Sequence, residues 1–109
     1  TWHPMAFSMV LMIRRYRLII STILNAIGCQ VEVEHMLSTG RIDIVASTSR
    51  FIYVMELKLT NNGGINAAEK QIINNGYLKP FLADDRKVIG LAIELDDKGK
   101  GLIDWKEVQ

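Results

Sequence analysis

The segment from Phe51 to Leu59 constrains the fold most, because it has the composition of a buried β-strand and yet carries two charges. Aliphatic and aromatic residues fill the rest of the segment, which is typical of a central strand. Successive side chains of a strand point to opposite faces, so Glu56 and Lys58 share one face. Charged groups in such a run need charged or polar partners. We therefore expect the fold to bring compensating groups to that face.

The preceding β-rich segment supplies a candidate partner in Asp43. A regular hairpin with its turn centred between Ser49 and Arg50 would place Asp43 directly opposite Glu56. Opposed carboxylates lie roughly 5 Å apart at Cβ, and each raises the proton affinity of the other unless a cation lies between them. The pattern therefore predicts a site formed by Asp43, Glu56 and Lys58.

A second hairpin could extend this row by one more carboxylate. A turn centred between Ser38 and Thr39 would place Glu34 opposite Asp43, unless a bulge disturbs the pairing. Oxygen ligands without histidine or cysteine favour Mg²⁺ or Mn²⁺ over zinc. Spacing alone allows two interpretations, a metal site or an ion-pair network on a solvated sheet face that binds nothing.

Hydrophobic periodicity predicts the remaining elements. From about Met5 to Ile27 a helical stripe is formed by Met9, Ile13, Tyr16, Ile20, Ile23 and Ile27. A second helix is predicted from Asn66 to about Tyr77, after a loop at residues 60–64, and two strands are predicted at residues 88–95 and 102–108. The order is αβββαββ. The helix before the fourth strand allows a parallel crossover, so we expect a mixed sheet.

Composition limits the class of protein. The 109 residues suffice for one domain, 1–109, and 49% apolar with 23% charged residues excludes a disordered chain. A net charge of +1 gives no strong field toward nucleic acid or membranes. The single cysteine, Cys29, favours a reducing, cytoplasmic setting, and the apolar run from Met5 to Ile13 is too short to span a bilayer. Because the chain starts with Thr1, we expect a fragment of a longer protein.

Three motifs together are more specific than the Glu-x-Lys pair. They are Gly-Arg-Ile-Asp-Ile-Val at 40–45, Tyr-Val-Met-Glu-Leu-Lys-Leu at 53–59, and Ala67-Ala68, Gln71-Ile72 and Gly76-Tyr77 on the second helix. With these motifs the chain resembles the PD-(D/E)XK nuclease superfamily. In particular, it resembles the nuclease-like domain that follows an AAA-type ATPase domain in many bacterial proteins.

The resemblance implies an α/β (α+β) fold with a restriction-endonuclease-like αβββαβ core, in which a mixed β-sheet is flanked by helices. It implies that Asp43 and Glu56 bind Mg²⁺ or Mn²⁺, that Lys58 assists catalysis, and that Gln71 points at the site. Tyr77 is either a companion of Gln71 or a core aromatic, and we favour the core role. The predicted first helix lacks the acidic residue that many members carry, so Glu34 is expected to act as a further metal ligand.

Three functions follow as hypotheses. The first is a metal-dependent nuclease acting on DNA or RNA, with DNA favoured. The second is a catalytically inactive module that binds nucleic acid or a protein partner, such as an ATPase portion of the same chain. The third is a homodimerisation unit built on the apolar first helix. Arg14, Arg15 and Arg17 are predicted to form a solvated helix face rather than a phosphate contact.

Overall fold

The computed structural model describes residues 4–109, which form a five-stranded mixed sheet with a helix against each face. The first three residues of the predicted domain 1–109 lie outside this described part. The elements, in chain order, are α1 (Pro4–Ala26), β1 (Gln30–Leu37), β2 (Gly40–Ser47), β3 (Phe51–Leu59), α2 (Gly64–Asn74), β4 (Lys87–Leu95) and β5 (Leu102–Val108). The strands lie in the sheet in sequence order, and the β3–β4 pair is parallel while its neighbours are antiparallel. The predicted fold class and mixed sheet are confirmed.

Both hairpins have the predicted registers. Leu37 pairs with Gly40, which centres the first turn between Ser38 and Thr39. Ile44 pairs with Met55, which is the register that brings Asp43 beside Glu56. Regular pairing of β2 with β3 ends at that pair. Beyond it the backbone N–H of Leu57 donates to the Asp43 carboxylate.

The alternation of side chains breaks in β2 at Asp43. Ile42 packs in the cluster on the α2 side of the sheet, whereas Ile44 packs in the cluster on the α1 side. On the neighbouring strand, Glu34 adopts a φ of 54°, a left-handed conformation that bulky residues rarely occupy. The β1–β2 pair is thus distorted where the carboxylates were expected to form a row.

The core has two layers, one on each side of the sheet. Val54, Ala68, Ile72 and Tyr77 are among the buried residues of the α2 layer. Tyr16, Met55, Leu57 and Leu95 are among those of the α1 layer. Successive residues of β3 therefore contribute to opposite layers, as the sequence predicted for a central strand.

The structure corrects the predicted helix boundaries and part of the apolar stripe. Helix α2 begins at Gly64 rather than Asn66 and ends at Asn74 rather than Tyr77, and short 3₁₀ turns flank it at Thr60–Asn62 and Lys79–Phe81. Ile23 and Ile27 are 55% and 71% exposed, so their place in the buried stripe was wrong. Met12 and Leu24 pack against the sheet as well.

The outward face of α1 is apolar and exposed. Leu11, Leu18 and Ile19 lie on it, with Arg14 and Arg15 beside them. Within residues 4–109, no helix is long and apolar enough to cross a membrane.

Candidate active site

A cleft of about 350 Å³ opens where β2 and β3 separate, between α1 and α2. All four predicted catalytic residues line it: Asp43 from β2, Glu56 and Lys58 from β3, and Gln71 from α2. The α1 wall is apolar at Met9, Val10 and Ile13. The separated strands β2 and β3 thus place charged side chains at the bottom of the cleft, and α1 gives the cleft one apolar wall.

Asp43 is held at the bottom of the cleft by two groups. Its Oδ2 accepts a hydrogen bond from the Leu57 backbone N–H at 2.9 Å, and its Oδ1 lies 3.5 Å from Nη1 of Arg17. Burial raises the pKa of the Asp43 carboxyl, while the Leu57 hydrogen bond and the charge of Arg17 oppose that rise. One oxygen of Asp43 is therefore held by the Leu57 backbone N–H, and the other faces the guanidinium of Arg17.

Glu56 is almost completely buried, with 2% of its surface exposed. Its Oε2 lies 3.9 Å from Nζ of Lys58, and its Oε1 has no hydrogen-bond partner among the described residues. Burial, and then the charge of Asp43, raises the pKa of the Glu56 carboxyl to about 8, although Lys58 acts in the opposite direction. An ionised Glu56 needs a further positive charge in this position.

A hydrogen-bond network around the Tyr77 hydroxyl closes the α2 side of the cleft. The hydroxyl donates to the Arg41 carbonyl at 3.1 Å and accepts from Gln71 Nε2 at 3.0 Å and from Asn75 Nδ2 at 3.2 Å. Its ring is fully buried, so the predicted core role of Tyr77 is correct and its hydroxyl also lines the cleft. A Cβ at Gly40 would lie 2.6 Å from this hydroxyl, which explains the glycine there.

Glu34 is paired with arginines and does not join Asp43 and Glu56. Its Oε1 lies 3.0 Å from Arg17 Nη2 and 3.6 Å from Arg41 Nη1. The distorted backbone at Glu34 explains why the predicted row of three carboxylates is not formed. Across residues 4–109, no three His, Cys, Asp or Glu side chains are grouped so that they could hold a metal ion.

The sequence interpretation missed Arg17 and Asn75. Arg17 was assigned to a solvated helix face, but its side chain is only 12% exposed and lies between Glu34 and Asp43. Arg14 and Arg15 are exposed, as predicted. One signal could have identified Arg17: it follows the stripe residue Tyr16 and precedes Ile20 by three positions, so it flanks the buried face.

Two neighbouring ionised carboxylates repel each other, and a divalent cation bound between them would relieve that repulsion. The Oε1 of Glu56 is a buried acceptor without a hydrogen-bond partner among the described residues, and burial is the main cause of the raised pKa of both carboxyl groups. A bound cation would offset that cost of burial. Oxygen-only donors suit Mg²⁺ or Mn²⁺. Asp43 and Glu56 are therefore the residues that would hold such an ion.

The structure thus combines an αβββαβ core with two adjoining carboxylates and a lysine on its splayed central strands. A protein-family model described as the PD-(D/E)XK nuclease superfamily matches residues 14–105. The chain belongs to this superfamily, whose members generally use divalent metal ions. No curated protein and no solved structure matches the chain.

Proposed function

We propose that this domain is a metal-dependent nuclease that hydrolyses phosphodiester bonds of nucleic acid, with DNA favoured over RNA. The observation that carries the proposal is the buried, unpartnered Oε1 of Glu56 beside Asp43. A carboxylate in this position is costly unless a cation compensates it. Membership of the superfamily supports the interpretation of this costly group as functional.

Asp43 and Glu56 would hold Mg²⁺ or Mn²⁺. Such an ion lowers the pKa of a bound water and stabilises the charge that develops on the phosphate. Glu34 serves this site indirectly in our proposal, because it holds the guanidinium of Arg17 near Asp43.

The cationic and amide side chains of the cleft have separate roles in the proposal. Lys58 is 21% exposed and lies beside Glu56, where its ammonium group can stabilise negative charge on the phosphate or orient the attacking water. Arg17 has a planar guanidinium suited to bidentate phosphate contacts. Gln71 lines the cleft, and its Nε2 donates to the Tyr77 hydroxyl, so that its amide group would position a substrate or a bound water.

A second candidate is a catalytically inactive module that binds nucleic acid or protein through the same cleft. The observation that favours it is the pairing of Glu34 with Arg17 and Arg41, which leaves only two carboxylates for a metal. Its partner would be nucleic acid or an ATPase portion of a longer chain.

The exposed apolar face of α1 at Leu11, Leu18 and Ile19 would be the interface in a homodimer. A cytoplasmic location remains part of the proposal.

The test compares metal binding and cleavage in one set of variants. Mn²⁺ titrated calorimetrically into the wild-type domain should bind saturably, and Asp43→Asn should abolish that binding. Cleavage of a labelled DNA oligonucleotide in Mn²⁺ should fall by at least about 10²-fold in the same variant, because the metal supplies much of the charge stabilisation.

Glu107→Gln is the matched control, since Glu107 is an exposed carboxylate on the edge strand β5. It should bind Mn²⁺ and cleave as the wild type does. If the wild type neither binds Mn²⁺ nor cleaves DNA or RNA, the inactive module is favoured. Cleavage that survives Asp43→Asn would refute the assignment of the site.

A further inference from the structure

A second groove adjoins the catalytic cleft at Asn75. It has a volume of about 320 Å³, and Asn75 lines both cavities. The groove runs between the β1–β2 turn, at Ser38 and Thr39, and the segment that comprises the end of α2 at Asn74 and the start of the following 3₁₀ turn at Lys79. We call it the turn groove. A chain that occupied the cleft could therefore continue into the turn groove.

The walls of the turn groove are fixed to each other and to the cleft. Thr39 Oγ1 donates to the backbone carbonyl of Asn75 at 2.7 Å, which ties the β1–β2 turn to the end of α2. The side chain of Asn75 in turn donates to the Tyr77 hydroxyl inside the cleft. The groove thus keeps a constant position relative to Asp43 and Glu56.

The chemistry of the turn groove suits a polyanionic backbone. Its polar lining residues are hydroxyl and amide groups together with Lys79, and none of its lining residues is acidic. Lys79 is exposed and has no ion pair within residues 4–109. Its methylene stem lies over Gly76, where a Cβ would come within 3.2 Å of Cδ, so the stem is supported and the ammonium group is free to reach the groove.

We propose that the turn groove binds the sugar-phosphate backbone of the nucleic acid next to the phosphate in the cleft, with Lys79 neutralising one phosphate and the side-chain amide of Asn74 offering a hydrogen bond. This inference rests on the proposed function in its choice of nucleic acid as ligand. It assigns Lys79 to binding and not to chemistry, because Lys79 does not line the catalytic cleft.

The experiment measures binding without hydrolysis. A fluorescently labelled DNA oligonucleotide is titrated with the domain in EDTA, and anisotropy is followed at several salt concentrations for wild type, Lys79→Ala and Lys87→Ala. Lys87 is the matched control, because it is an exposed lysine at the opposite end of the sheet, where β4 begins. We expect Lys79→Ala to weaken binding about 3- to 10-fold at low salt and to reduce the slope of log K against log salt by about 0.7 to 0.9.

Each outcome has a defined meaning. Equal losses in Lys79→Ala and Lys87→Ala, or no loss in Lys79→Ala, would overturn the turn groove and leave the nuclease proposal untouched. A selective loss in Lys79→Ala supports the groove even if the wild type then fails to cleave DNA in Mn²⁺, in which case only the nuclease proposal falls. If the wild type binds neither DNA nor RNA at low salt, the groove proposal is refuted.

Discussion

Glu56 makes the stability of the metal-free protein depend on pH in an unusual direction. Its pKa is about 8 in the folded chain and near 4.5 in the unfolded chain, so between these values the folded state binds more protons. The free energy of unfolding should therefore fall as the pH rises from about 5 to 8, by up to about 1.4 kcal/mol per pH unit. Asp43, whose pKa is also raised, contributes in the same direction. Urea denaturation in EDTA at several pH values measures the slope.

Glu56→Gln is the control for this slope, because it keeps the shape of the side chain and removes its titration. The variant should be more stable than the wild type at pH 8 in EDTA and should have a flatter pH profile. Saturating Mn²⁺ should reduce the slope in the wild type, since the metal prefers ionised carboxylates. A wild type that is steadily stabilised up to pH 8 in EDTA would contradict the buried position of Glu56.

The main residues of the candidate site could be predicted from the sequence for a simple reason. Alternation along β3 fixes Glu56 and Lys58 on one face, and the position of the turn fixes the β2–β3 register that brings Asp43 beside Glu56. The position of the Glu34 side chain could not be predicted from the sequence, because it depends on a left-handed backbone conformation at a non-glycine residue, which no local pattern signals. Arg17 reaches the site from another element, and its partners are set by tertiary packing alone.

At the scale of elements, Glu94 fixes the start of α2 beside the cleft. Its Oε1 accepts from the Ile65 backbone N–H at 2.9 Å, and its Oε2 accepts from Thr60 Oγ1 at 2.7 Å. These hydrogen bonds lower the pKa of the Glu94 carboxyl and act as an N-terminal cap supplied by a neighbouring strand. Glu94→Ala should lower the free energy of unfolding by about 1–2 kcal/mol, measured by urea denaturation.

Glu107→Ala removes a carboxylate of the same kind from an exposed position and should change stability by less than about 0.5 kcal/mol. Hydrogen exchange separates the capping role from a general loss of stability. The amide protons of α2 should exchange faster in Glu94→Ala relative to those of β3. Uniform acceleration across the sheet and α2 would argue against a local cap.

The helices and strands could be predicted where the hydrophobic pattern of the sequence matches the burial of the side chains in the structure. Strand β3 was predicted with the bounds that the structure has, because it pairs on both sides and packs against both helices. The ends of the helices were harder to predict from the sequence. The start of α2 depends on Glu94, which is distant in sequence. The apolar stripe continues in the sequence through Ile27, but Ile23 and Ile27 are exposed and Leu24 packs against the sheet instead.

At the scale of the molecule, Tyr16 connects the α1 layer to the far end of the sheet. Its hydroxyl donates to the Asp96 carbonyl at 2.8 Å and accepts from the Gly101 backbone N–H at 3.0 Å, in the turn between β4 and β5. Both core layers include residues of the strands β2, β3 and β4, so the loss of either layer would expose apolar side chains of strands on which the other layer also depends. We therefore expect residues 4–109 to unfold in one cooperative transition.

Tyr16→Phe tests this coupling, because it removes both hydrogen bonds and keeps the ring. The variant should lose about 1–3 kcal/mol of stability, since the Gly101 backbone N–H loses its partner and the Asp96 carbonyl keeps only the hydrogen bond from the Gly99 N–H. Urea unfolding followed by far-UV circular dichroism and by tryptophan fluorescence should still give coincident curves with an unchanged m-value. Separate curves for the two probes would mean that α1 detaches before the sheet unfolds. That result would also predict an open cleft in the intermediate, because Arg17 leaves Asp43 when α1 leaves the sheet.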